Sequence, residues 1–202
     1  MIGPTAVRVC LVLASGLGTR IGGPKALLDW QGVPLAAAHA AVRAGDCGRV
    51  LVITRERMGA VLQRLCPWLS VLVSQQPEEL GPAGSIAAAV RSGALQDAVQ
   101  VIVTPVDVPP ASSELVSRLA AALSGARAAR PWMHGQPGHP VACRAELIER
   151  VYARSAPPLR DVMAELGAEC AGVQTHDSDT LIDFDTPEAF AARAGHAPRF
   201  LG

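Results

Sequence analysis

A glycine-rich stretch near the start of the chain carries the first sign of chemistry. It spans residues 13–25 and reads LASGLGTRIGGPK, directly after an apolar run over 7–13 that predicts a buried strand. Glycines leave backbone N–H groups open to close approach by phosphate oxygens. Arg20 and Lys25 add two positive charges at the same place. The stretch therefore predicts a site for a nucleoside triphosphate.

Three phosphate-loop patterns can be compared with this stretch. Lys25 is preceded by proline and followed by alanine, so the G-x-x-x-x-G-K-[ST] pattern of a P-loop is not met. Gly16, Gly18 and Gly22 have one residue too many in the second gap for the G-x-G-x-x-G pattern of a dinucleotide fold. A third pattern, L-A-x-G-x-G-x-R-x-G-x-x-K, is met at every fixed position.

The elements that must position this loop alternate between short apolar runs and Ala/Leu-rich segments. The predicted strands of the first half are 7–13, 49–53, 71–74 and 99–104. The predicted helices are 35–44, 58–65, 85–92 and 113–123. This alternation predicts an α/β fold with a mainly parallel sheet that is covered on both faces.

The alternation weakens after Gly125, where the pattern still predicts short elements. Strands are predicted at 127–131, 140–143, 171–174 and 181–184, and helices at 145–154 and 159–166. Thr186 and Pro187 are typical of a helix N-cap and first helical position, so a last helix begins there. The last few residues of the chain are expected to fray.

Composition excludes several classes of function. Half of the 202 residues are hydrophobic, which predicts a folded core, and the formal net charge is zero. A neutral chain with only 3% aromatic residues is not typical of a protein that binds nucleic acid or a membrane surface. The five scattered cysteines show no C-x-x-C spacing, and Cys10 and Cys143 are predicted core residues. The apolar run at 7–13 is too short to span a bilayer, and with no signal-peptide pattern the expected location is the cytoplasm.

The loop pattern resembles the molybdenum cofactor nucleotidyltransferase-like family, within the nucleotide-diphospho-sugar transferase-like superfamily. The nearest resemblance is to its molybdenum cofactor cytidylyltransferase branch, and it extends from the first strand to the segment around Asp185. It implies one domain over 1–202 with a three-layer α/β/α, Rossmann-like nucleotidyltransferase fold and a mixed, mainly parallel central sheet. It also implies an enzyme that transfers a nucleoside monophosphate, CMP by preference, to a phosphorylated acceptor and releases pyrophosphate.

The resemblance implies roles for the residues of the opening loop. Arg20 resembles the family arginine that contacts the outer phosphates, where a planar fork suits non-bridging oxygens. Lys25 resembles the family lysine near the α-phosphate, where negative charge develops during transfer. The nucleotide-binding residues implied in this loop are Leu13, Ala14, Ser15, Gly16, Gly18, Arg20 and Lys25.

Two aspartates resemble the metal-binding carboxylates of the family, which implies Mg²⁺ as cofactor. Asp107 follows the 99–104 strand in a D-x-P motif and joins Lys25 and Arg20 as an implied catalytic residue. Asp185 matches the second aspartate of a D-x-D-T-P motif, and Asp183 stands at the first. Turn chemistry also explains an aspartate before a proline, and a helix start also explains Asp185.

The segment Gly81-Pro82-Ala83-Gly84-Ser85 resembles the family loop that reads the nucleobase. Gly81 and Ser85 keep the G-x-x-x-S spacing of cytidylyltransferases, whereas Gly84 is more typical of guanylyltransferases. Backbone groups of Ala14 and Gly81, with the hydroxyl groups of Ser15 and Ser85, would meet the base edge. The motif favours CTP over GTP, and Ser85 can also be an ordinary N-cap.

The segment Gly138-His139-Pro140-Val141 resembles a G-H-P-V segment near the acceptor pocket of the cytidylyltransferase branch. His139 is therefore a candidate acceptor-binding residue, with Trp132 and His134 just upstream. The resemblance implies molybdopterin as the phosphorylated acceptor and a molybdoenzyme as a candidate protein partner. Three alternatives stay open: a sugar-phosphate nucleotidyltransferase, a non-catalytic nucleotide-binding protein that handles the cofactor, and a redox domain that uses a dinucleotide.

Overall fold

The computed structural model describes residues 7–202, apart from the side chain of Glu78, and residues 1–6 of the predicted domain lie outside that range. Its strands are β1 (Val7–Leu13), β2 (Asp29–Trp30), β3 (Val33–Pro34), β4 (Arg49–Thr54), β5 (Val71–Val73), β6 (Ala98–Pro105), β7 (Ala128–Met133), β8 (Gln136–Pro137), β9 (Val141–Arg144) and β10 (Cys170–Gln174). Its helices are α1 (Leu35–Ala44), α2 (Glu56–Leu65), α3 (Gly81–Arg91), α4 (Ser113–Ala122), α5 (Ala145–Tyr152), α6 (Leu159–Leu166) and α7 (Pro187–Ala194). Short 3₁₀ turns cover Thr19–Ile21, Lys25–Leu27, Glu78–Leu80, Gly167–Glu169 and Ser178–Leu181.

One mixed sheet runs through the middle of the molecule in the order β10-β7-β9-β6-β1-β4-β5, and β8 pairs with β7 at one side. Strands β6, β1, β4 and β5 are parallel, as are β10 and β7, while β9 is antiparallel to both of its neighbours. Residues 9–12 of the central strand β1 are fully buried. A strand covered on both faces needs apolar side chains in both directions, which explains its continuous apolar sequence.

Helices cover both faces of this sheet, as the sequence predicted. One core cluster joins Cys10 and Val12 of β1 to side chains of α1, α2, α4 and α7. The other joins Val9 and Leu11 to side chains of α3, α5 and α6. Successive residues of a strand point to opposite faces, so β1 supplies both layers of core. Cys10 and Cys143 are fully buried core residues, in agreement with the prediction.

The prediction of a strand at 181–184 is wrong. A 3₁₀ turn ends at Leu181, and residues 182–185 follow without strand pairing. The Phe184 N–H donates to the carbonyl oxygen of Asp107 at 2.7 Å, and the Phe184 ring is buried against Phe190 and Trp30. The segment therefore satisfies its polar and apolar groups against a loop and a helix instead of a neighbouring strand.

Other boundaries differ more modestly from the prediction. Helix α3 begins at Gly81, four residues before the predicted start at Ser85. The start of α7 agrees with the prediction, since Thr186 is the N-cap and its Oγ1 accepts from the Ala189 N–H at 3.2 Å. The short hairpin of β2 and β3 carries no strand signal in the predicted pattern.

Residues 199–201, where fraying was expected, contact the segment that follows the glycine-rich stretch. The Asp29 N–H donates to the Arg199 carbonyl at 2.8 Å, and the Leu201 N–H donates to the Leu27 carbonyl at 2.9 Å. Phe200 forms a bridge with Leu28, so residues 199–201 hold 27–29 in place.

No helix within 7–202 combines the length and the apolar character that crossing a membrane requires.

Candidate active site

The ends of three neighbouring strands bring the predicted site residues together. Leu13, the last residue of β1, pairs in register with Ile53 of β4 and Pro105 of β6. The Val106 N–H donates to the Leu13 carbonyl at 3.0 Å, and the Ala14 N–H donates to the Ile53 carbonyl at 2.8 Å. The loops that leave these strands therefore start at one level, at the carboxyl edge where open α/β sheets bind ligands.

These loops surround a cavity of about 370 Å³. The cavity is lined by Leu13, Ser15, Gly16, Leu17, Gly18, Thr19, Arg20, Lys25, Arg55, Gly81, Pro82, Ser85, Pro105, Val106, Asp107 and Asp185. Every residue predicted to bind the nucleotide or the metal is in this set except Ala14, which lies in the wall behind it. The Ala14 carbonyl accepts a hydrogen bond from Thr54 Oγ1 at 2.8 Å.

The shape of the glycine-rich loop depends on Gly18. Its φ is +63°, a left-handed conformation that favours glycine, and its carbonyl accepts from the Ile21 and Gly23 N–H groups at 3.1 Å each. A Cβ at this position would lie 1.9 Å from the Gly23 carbonyl oxygen. Only glycine therefore allows the tight turn that brings Arg20 and Lys25 back towards the strand ends.

A compact cluster of charges stands at one end of the cavity. Lys25 Nζ donates to Asp107 Oδ2 at 2.8 Å and to Asp185 Oδ1 at 2.6 Å, and Arg20 Nη1 donates to Asp185 Oδ2 at 3.0 Å. The Lys25 side chain is only 11% exposed, while Arg20 is 76% exposed. Lys25 is also the only lysine in the 202 residues; the other 17 cationic side chains are arginines.

The cluster keeps Lys25 and Asp185 charged near neutral pH. Burial acts to lower the pKa of Lys25, but hydrogen bonds and charges of Asp107 and Asp185 outweigh it, and the pKa is raised. The hydrogen bond from Lys25, with the charge of Arg20, holds the pKa of Asp185 below its usual value. Lys25 is thus an ammonium ion beside two carboxylate groups.

Buried contacts from two elements hold the Asp107 loop. From α1, His39 Nε2 lies 2.9 Å from the Val108 carbonyl oxygen, and because a carbonyl only accepts, Nε2 carries the hydrogen. From the other side, the Phe184 N–H donates to the carbonyl of Asp107 itself. Burial lowers the pKa of His39 to about 4. Its imidazole is therefore neutral at pH 7, and its Nε2–H group donates to the carbonyl of Val108.

The donor set at Asp107 and Asp185 fits a hard divalent cation. Both carboxylate groups lie within 3 Å of the same Lys25 nitrogen, so they face one small volume. No group of three or more His, Cys, Asp or Glu side chains arranged to hold a metal occurs among the side chains that the structure describes, which leave out Glu78. Two carboxylates suit Mg²⁺ because it keeps several waters and takes its other ligands from substrate phosphates.

The end of the cavity away from the charge cluster carries two serine hydroxyl groups. Ser15 Oγ and Ser85 Oγ are hydrogen-bonded to each other at 2.9 Å, so the two predicted base-reading hydroxyl groups are adjacent. Gly81 has φ +51° at the start of α3. A Cβ on Gly84 would lie 2.9 Å from the Cβ of Leu80, so packing alone requires glycine at this position. The packing against Leu80 therefore accounts for Gly84 without a contact to the base.

A second cavity of about 270 Å³ adjoins the first one, and the two share Leu13, Pro82, Pro105, Asp107 and Asp185. Its own lining residues are Ile86, Val103, His139, Leu159 and Asp183. His139 Nδ1 is buried and has no hydrogen-bond partner among residues 7–202. Burial, with the nearby charge of Arg130, lowers the pKa of His139 although Asp107 opposes the shift. Burial and the two neighbouring aspartates raise the pKa of Asp183.

The other two candidate acceptor residues lie apart from both cavities. Trp132 pairs with Pro137 in the hairpin of β7 and β8, and its side chain packs over Gly172 of the neighbouring strand β10. His134 is exposed at the turn of that hairpin, with φ +50°. Neither lines the second cavity, so the structure brings only His139 of the three to the site.

Sequence reasoning missed Arg55 and His39. Arg55 directly follows β4 and lines the first cavity. The signal that could have found Arg55 is its position, because it is the first charged residue after a predicted parallel strand. His39 lies inside a helical pattern with no motif around it, and only the fold shows that it supports the Asp107 loop.

A comparison with known protein families identifies the family of this chain. The model of the MobA-like NTP transferase domain matches residues 10–170, from β1 to the start of β10. The chain belongs to this family. It is therefore a nucleotidyltransferase, and the predicted family and fold class are confirmed.

Curated relatives of two types match nearly the whole chain. The molybdenum cofactor guanylyltransferase of Pseudomonas aeruginosa (strain LESB58) is 32% identical over 90% of this chain and 91% of its own length. That of Pseudomonas putida is 33% identical over 92% and 97%. The molybdenum cofactor cytidylyltransferase of Escherichia coli K12 is 22% identical over 90% and 92%. Identity is thus higher to these guanylyltransferases than to the cytidylyltransferase.

Solved structures show the same fold at low sequence identity. Rv0371c of Mycobacterium tuberculosis matches with a TM-score of 0.79 and 17% identity, over 96% of this chain and 100% of that one. A nucleotidyl transferase from Methanothermobacter matches with a TM-score of 0.76 and 20% identity, over 95% and 98%. A crystal structure of Rv0371c in complex with manganese matches with a TM-score of 0.75 and 16% identity, over 96% and 100%.

Proposed function

We propose that this enzyme transfers a nucleoside monophosphate from an NTP to the terminal phosphate of molybdopterin and releases pyrophosphate. The contact of Lys25 Nζ with both Asp107 and Asp185, beside the glycine-rich loop, is the observation that carries the proposal. It joins a phosphate-binding loop, a buried cation and two carboxylates at one end of one cavity. The names of the curated relatives support the acceptor.

The reaction needs positioning and charge stabilisation more than proton transfer. An oxygen of the acceptor phosphate attacks the α-phosphorus of the NTP, and the bond to the bridging oxygen of pyrophosphate breaks. The attacking oxygen is already anionic, so no side chain has to remove a proton from it. Lys25 stabilises negative charge that develops at the α-phosphate, and the exposed Arg20 binds the departing phosphates.

Asp107 and Asp185 are the residues that would hold a divalent cation, Mg²⁺ in our proposal. Mg²⁺ when bound supplies a Lewis acid that neutralises triphosphate charge. The manganese complex of Rv0371c supports a divalent cation at this fold. His39 and Phe184 position Asp107 from behind by fixing its loop at Val108 and at the Asp107 backbone.

The second cavity is the proposed site of the acceptor. It shares Asp107 and Asp185 with the nucleotide cavity, so an acceptor phosphate there would face the same carboxylates and Lys25. Its walls combine apolar side chains such as Ile86 and Leu159 with the imidazole of His139. Such a mixture suits a ring system that carries a few polar groups.

GTP and CTP are the two candidate donors, and different observations favour them. The spacing of Gly81 and Ser85 favours CTP, and the structure keeps Ser85 beside Ser15 at the polar end of the cavity. Higher identity to guanylyltransferases favours GTP. A thermal-shift panel of GTP, CTP, ATP and UTP with Mg²⁺ ranks the donors, since a ligand of the native state raises its unfolding temperature.

The decisive experiment measures pyrophosphate release from Mg-GTP and Mg-CTP with molybdopterin as acceptor. We expect Lys25→Ala and Asp107→Ala to lose at least ~100-fold in turnover, as is typical when a charge-stabilising group is removed from an active site. Lys25→Arg should also be impaired, because a planar guanidinium cannot replace a compact ammonium between two carboxylates.

Arg57→Ala is the matched control, because Arg57 is an exposed cation in the first turn of α2 that lines neither cavity. Thermal unfolding of each variant separates loss of catalysis from loss of fold. Retained turnover in both Lys25→Ala and Asp107→Ala would refute the proposed mechanism.

A further inference from the structure

The loop that carries Asp107 is stiff between this aspartate and the start of α4. It covers residues 106–111, and its members at 108–110 read Val-Pro-Pro. Each proline fixes its own φ, and the residue before a proline is restricted to extended conformations. The segment 108–110 therefore has little freedom to bend, and a contact that fixes Ala111 also limits where Asp107 can lie.

Arg43 of α1 makes the contact that fixes the far end of this loop. Its Nη2 donates to the carbonyl oxygen of Ala111 at 2.6 Å. His39 stands four residues earlier on the same face of α1 and contacts the Val108 carbonyl. One helix therefore holds the loop at two carbonyl groups, both on the side of Asp107 that leads to α4.

The guanidinium of Arg43 is itself held in one orientation. Its Nη1 lies 2.9 Å from Asp46 Oδ2, and the side chains of the two residues are only 3% and 13% exposed. The backbone of Asp46 is anchored in turn, because its carbonyl accepts from Arg8 Nη1 at 3.0 Å. Arg43 thus has one terminal nitrogen on a fixed carboxylate and the other on the loop, which the planar fork of a guanidinium allows.

A buried ion pair such as that of Arg43 and Asp46 is a poor source of stability. The removal of two charges from water costs about as much free energy as their attraction returns, so apolar side chains often replace such a pair without loss of stability. The hydrogen bond from Arg43 is directional, however, and defines one position for Ala111. The pair therefore contributes an orientation, and the segment that receives it carries Asp107.

We propose that Arg43 is a positioning residue for nucleotidyl transfer, which holds the 106–111 loop where Asp107 meets Lys25. Arg43 lines neither cavity, so it acts on the reaction only through this loop. The inference rests on the proposed function, since it takes Asp107 to serve that reaction. Without the contact to Ala111 the loop can shift, and a displacement of about 1 Å at a reacting group can lower the rate ~100-fold.

Steady-state pyrophosphate release tests this role in Arg43→Met, whose side chain is long but donates no hydrogen bond. We expect kcat to fall ~10- to 100-fold. The KM for the NTP should change little, because Arg43 makes no described hydrogen bond to the glycine-rich loop. Arg57→Met is the matched control, since it makes the same change at an exposed arginine that lines neither cavity.

A double variant separates positioning from folding. Arg43→Met alone leaves the Asp46 carboxylate buried without its partner, which lowers stability for that reason. Arg43→Met/Asp46→Leu removes both charges, so its unfolding temperature should return towards that of the wild type while its kcat stays low. Recovery of kcat together with stability would overturn the inference, as would a double variant that does not fold, because Arg43 would then serve the fold alone.

Amide hydrogen exchange gives a second readout that needs no substrate. The Phe184 N–H donates to the carbonyl of Asp107, whereas the Val52 N–H donates to the carbonyl of Ser70, outside the loop. In the double variant the Phe184 amide should exchange ~10-fold faster than in the wild type, and the Val52 amide at the wild-type rate. Unchanged exchange at Phe184, or an equal increase at both amides, would overturn the inference.

The two proposals fail separately. A wild type that releases no pyrophosphate from any NTP with molybdopterin refutes the proposed function, but the exchange experiment still reports whether Arg43 holds the Asp107 loop. Conversely, wild-type kcat in the folded Arg43→Met variant refutes the role of Arg43 and leaves nucleotidyl transfer in place.

Discussion

Lys25 is the residue on which the site depends most. The chain uses arginine for every other cationic side chain, so the single lysine stands where a small ammonium has to fit between two carboxylates. Lysine concentrates its charge on one nitrogen, which donates in three directions. Arginine spreads its charge and its N–H donors over a flat guanidinium group. The geometry of the cluster therefore requires the side chain that the rest of the molecule avoids.

His139 allows a residue-scale test of the acceptor cavity. We expect His139→Asn to raise the KM for molybdopterin several-fold and to leave the KM for the NTP unchanged, because His139 lines only the second cavity. Steady-state pyrophosphate release at varied concentrations of each substrate measures both constants.

His134→Ala is the control, since His134 is an exposed histidine of the same segment that lines neither cavity. Parallel increases in both KM values for His139→Asn would argue against a specific role at the acceptor. An effect of His134→Ala as large as that of His139→Asn would argue the same.

Most site residues could be predicted from the sequence because they lie in short motifs after recognisable strands. The loop over 13–25 and Asp107 have that property, whereas Asp185 was found from its D-x-D-T-P motif alone; the structure brings all of them together. His39 had no such signal, since it acts across the fold on a backbone carbonyl. Trp132 and His134 were nominated by proximity in sequence alone, and a hairpin directs both of them away from the cavities.

At the scale of elements, the segment 131–140 is held by its contacts with the 3₁₀ turn at Ser178–Leu181. Gly138 donates its N–H to the Pro131 carbonyl, and the His139 N–H donates to the Thr180 carbonyl, both at 2.9 Å. A Cβ on Gly138 would lie 2.4 Å from that same Thr180 oxygen. The 3₁₀ turn can therefore hold His139 in this position only if residue 138 has no side chain.

Gly138→Ala should consequently destabilise the protein. We expect a loss of ~1–3 kcal/mol in the free energy of unfolding, the usual cost of an overpacked contact with backbone atoms that cannot move aside. Urea denaturation measures it from the midpoint at constant slope. Gly125→Ala is the matched control because no atom lies within 4 Å of its added Cβ. Equal midpoints for the two variants would contradict the packing argument.

The order of the elements was easier to predict than the path of the chain between 175 and 186. Three of the four residues at 181–184 are apolar, which predicts a buried strand, but the same sequence is also satisfied by burying Phe184 against Phe190 and Trp30. Periodicity shows which side chains are buried and does not show which backbone pairs with which. The unpaired path is what carries Asp185 to Lys25.

At the scale of the whole molecule, His39 couples stability to pH. Its pKa is about 4 in the folded protein because of burial, and about 6.5 when exposed in the unfolded chain. The unfolded state therefore binds the extra proton first as the pH falls. The contribution of neutral His39 is complete above pH 6.5 and decreases as the pH is lowered to 4, by ~3 kcal/mol.

His39→Gln isolates this effect, because its side-chain amide can still donate to Val108 but takes up no proton in this range. Chemical denaturation at pH 7.5 and pH 4.5 should show a smaller loss of stability for the variant than for the wild type. The same loss in both proteins would show that other groups govern the acid sensitivity.

The same unfolding measurements test the prediction that residues 1–202 form one domain. A single domain should give coincident unfolding transitions when they are followed by different probes.

Asp185 and the contacts of residues 199–201 with 27–29 also fix when a newly made chain can complete the proposed site. A ribosome adds residues from the N-terminus, so the glycine-rich loop emerges early and its partners late. Lys25 meets Asp185 only after some 160 further residues have been made, and the backbone beside it is tied down later still, by Arg199 and Leu201. A nascent chain can therefore complete its β1, β4 and β6 edge long before it can close the charge cluster, and the proposed site is complete only after residues 185–201 have been made.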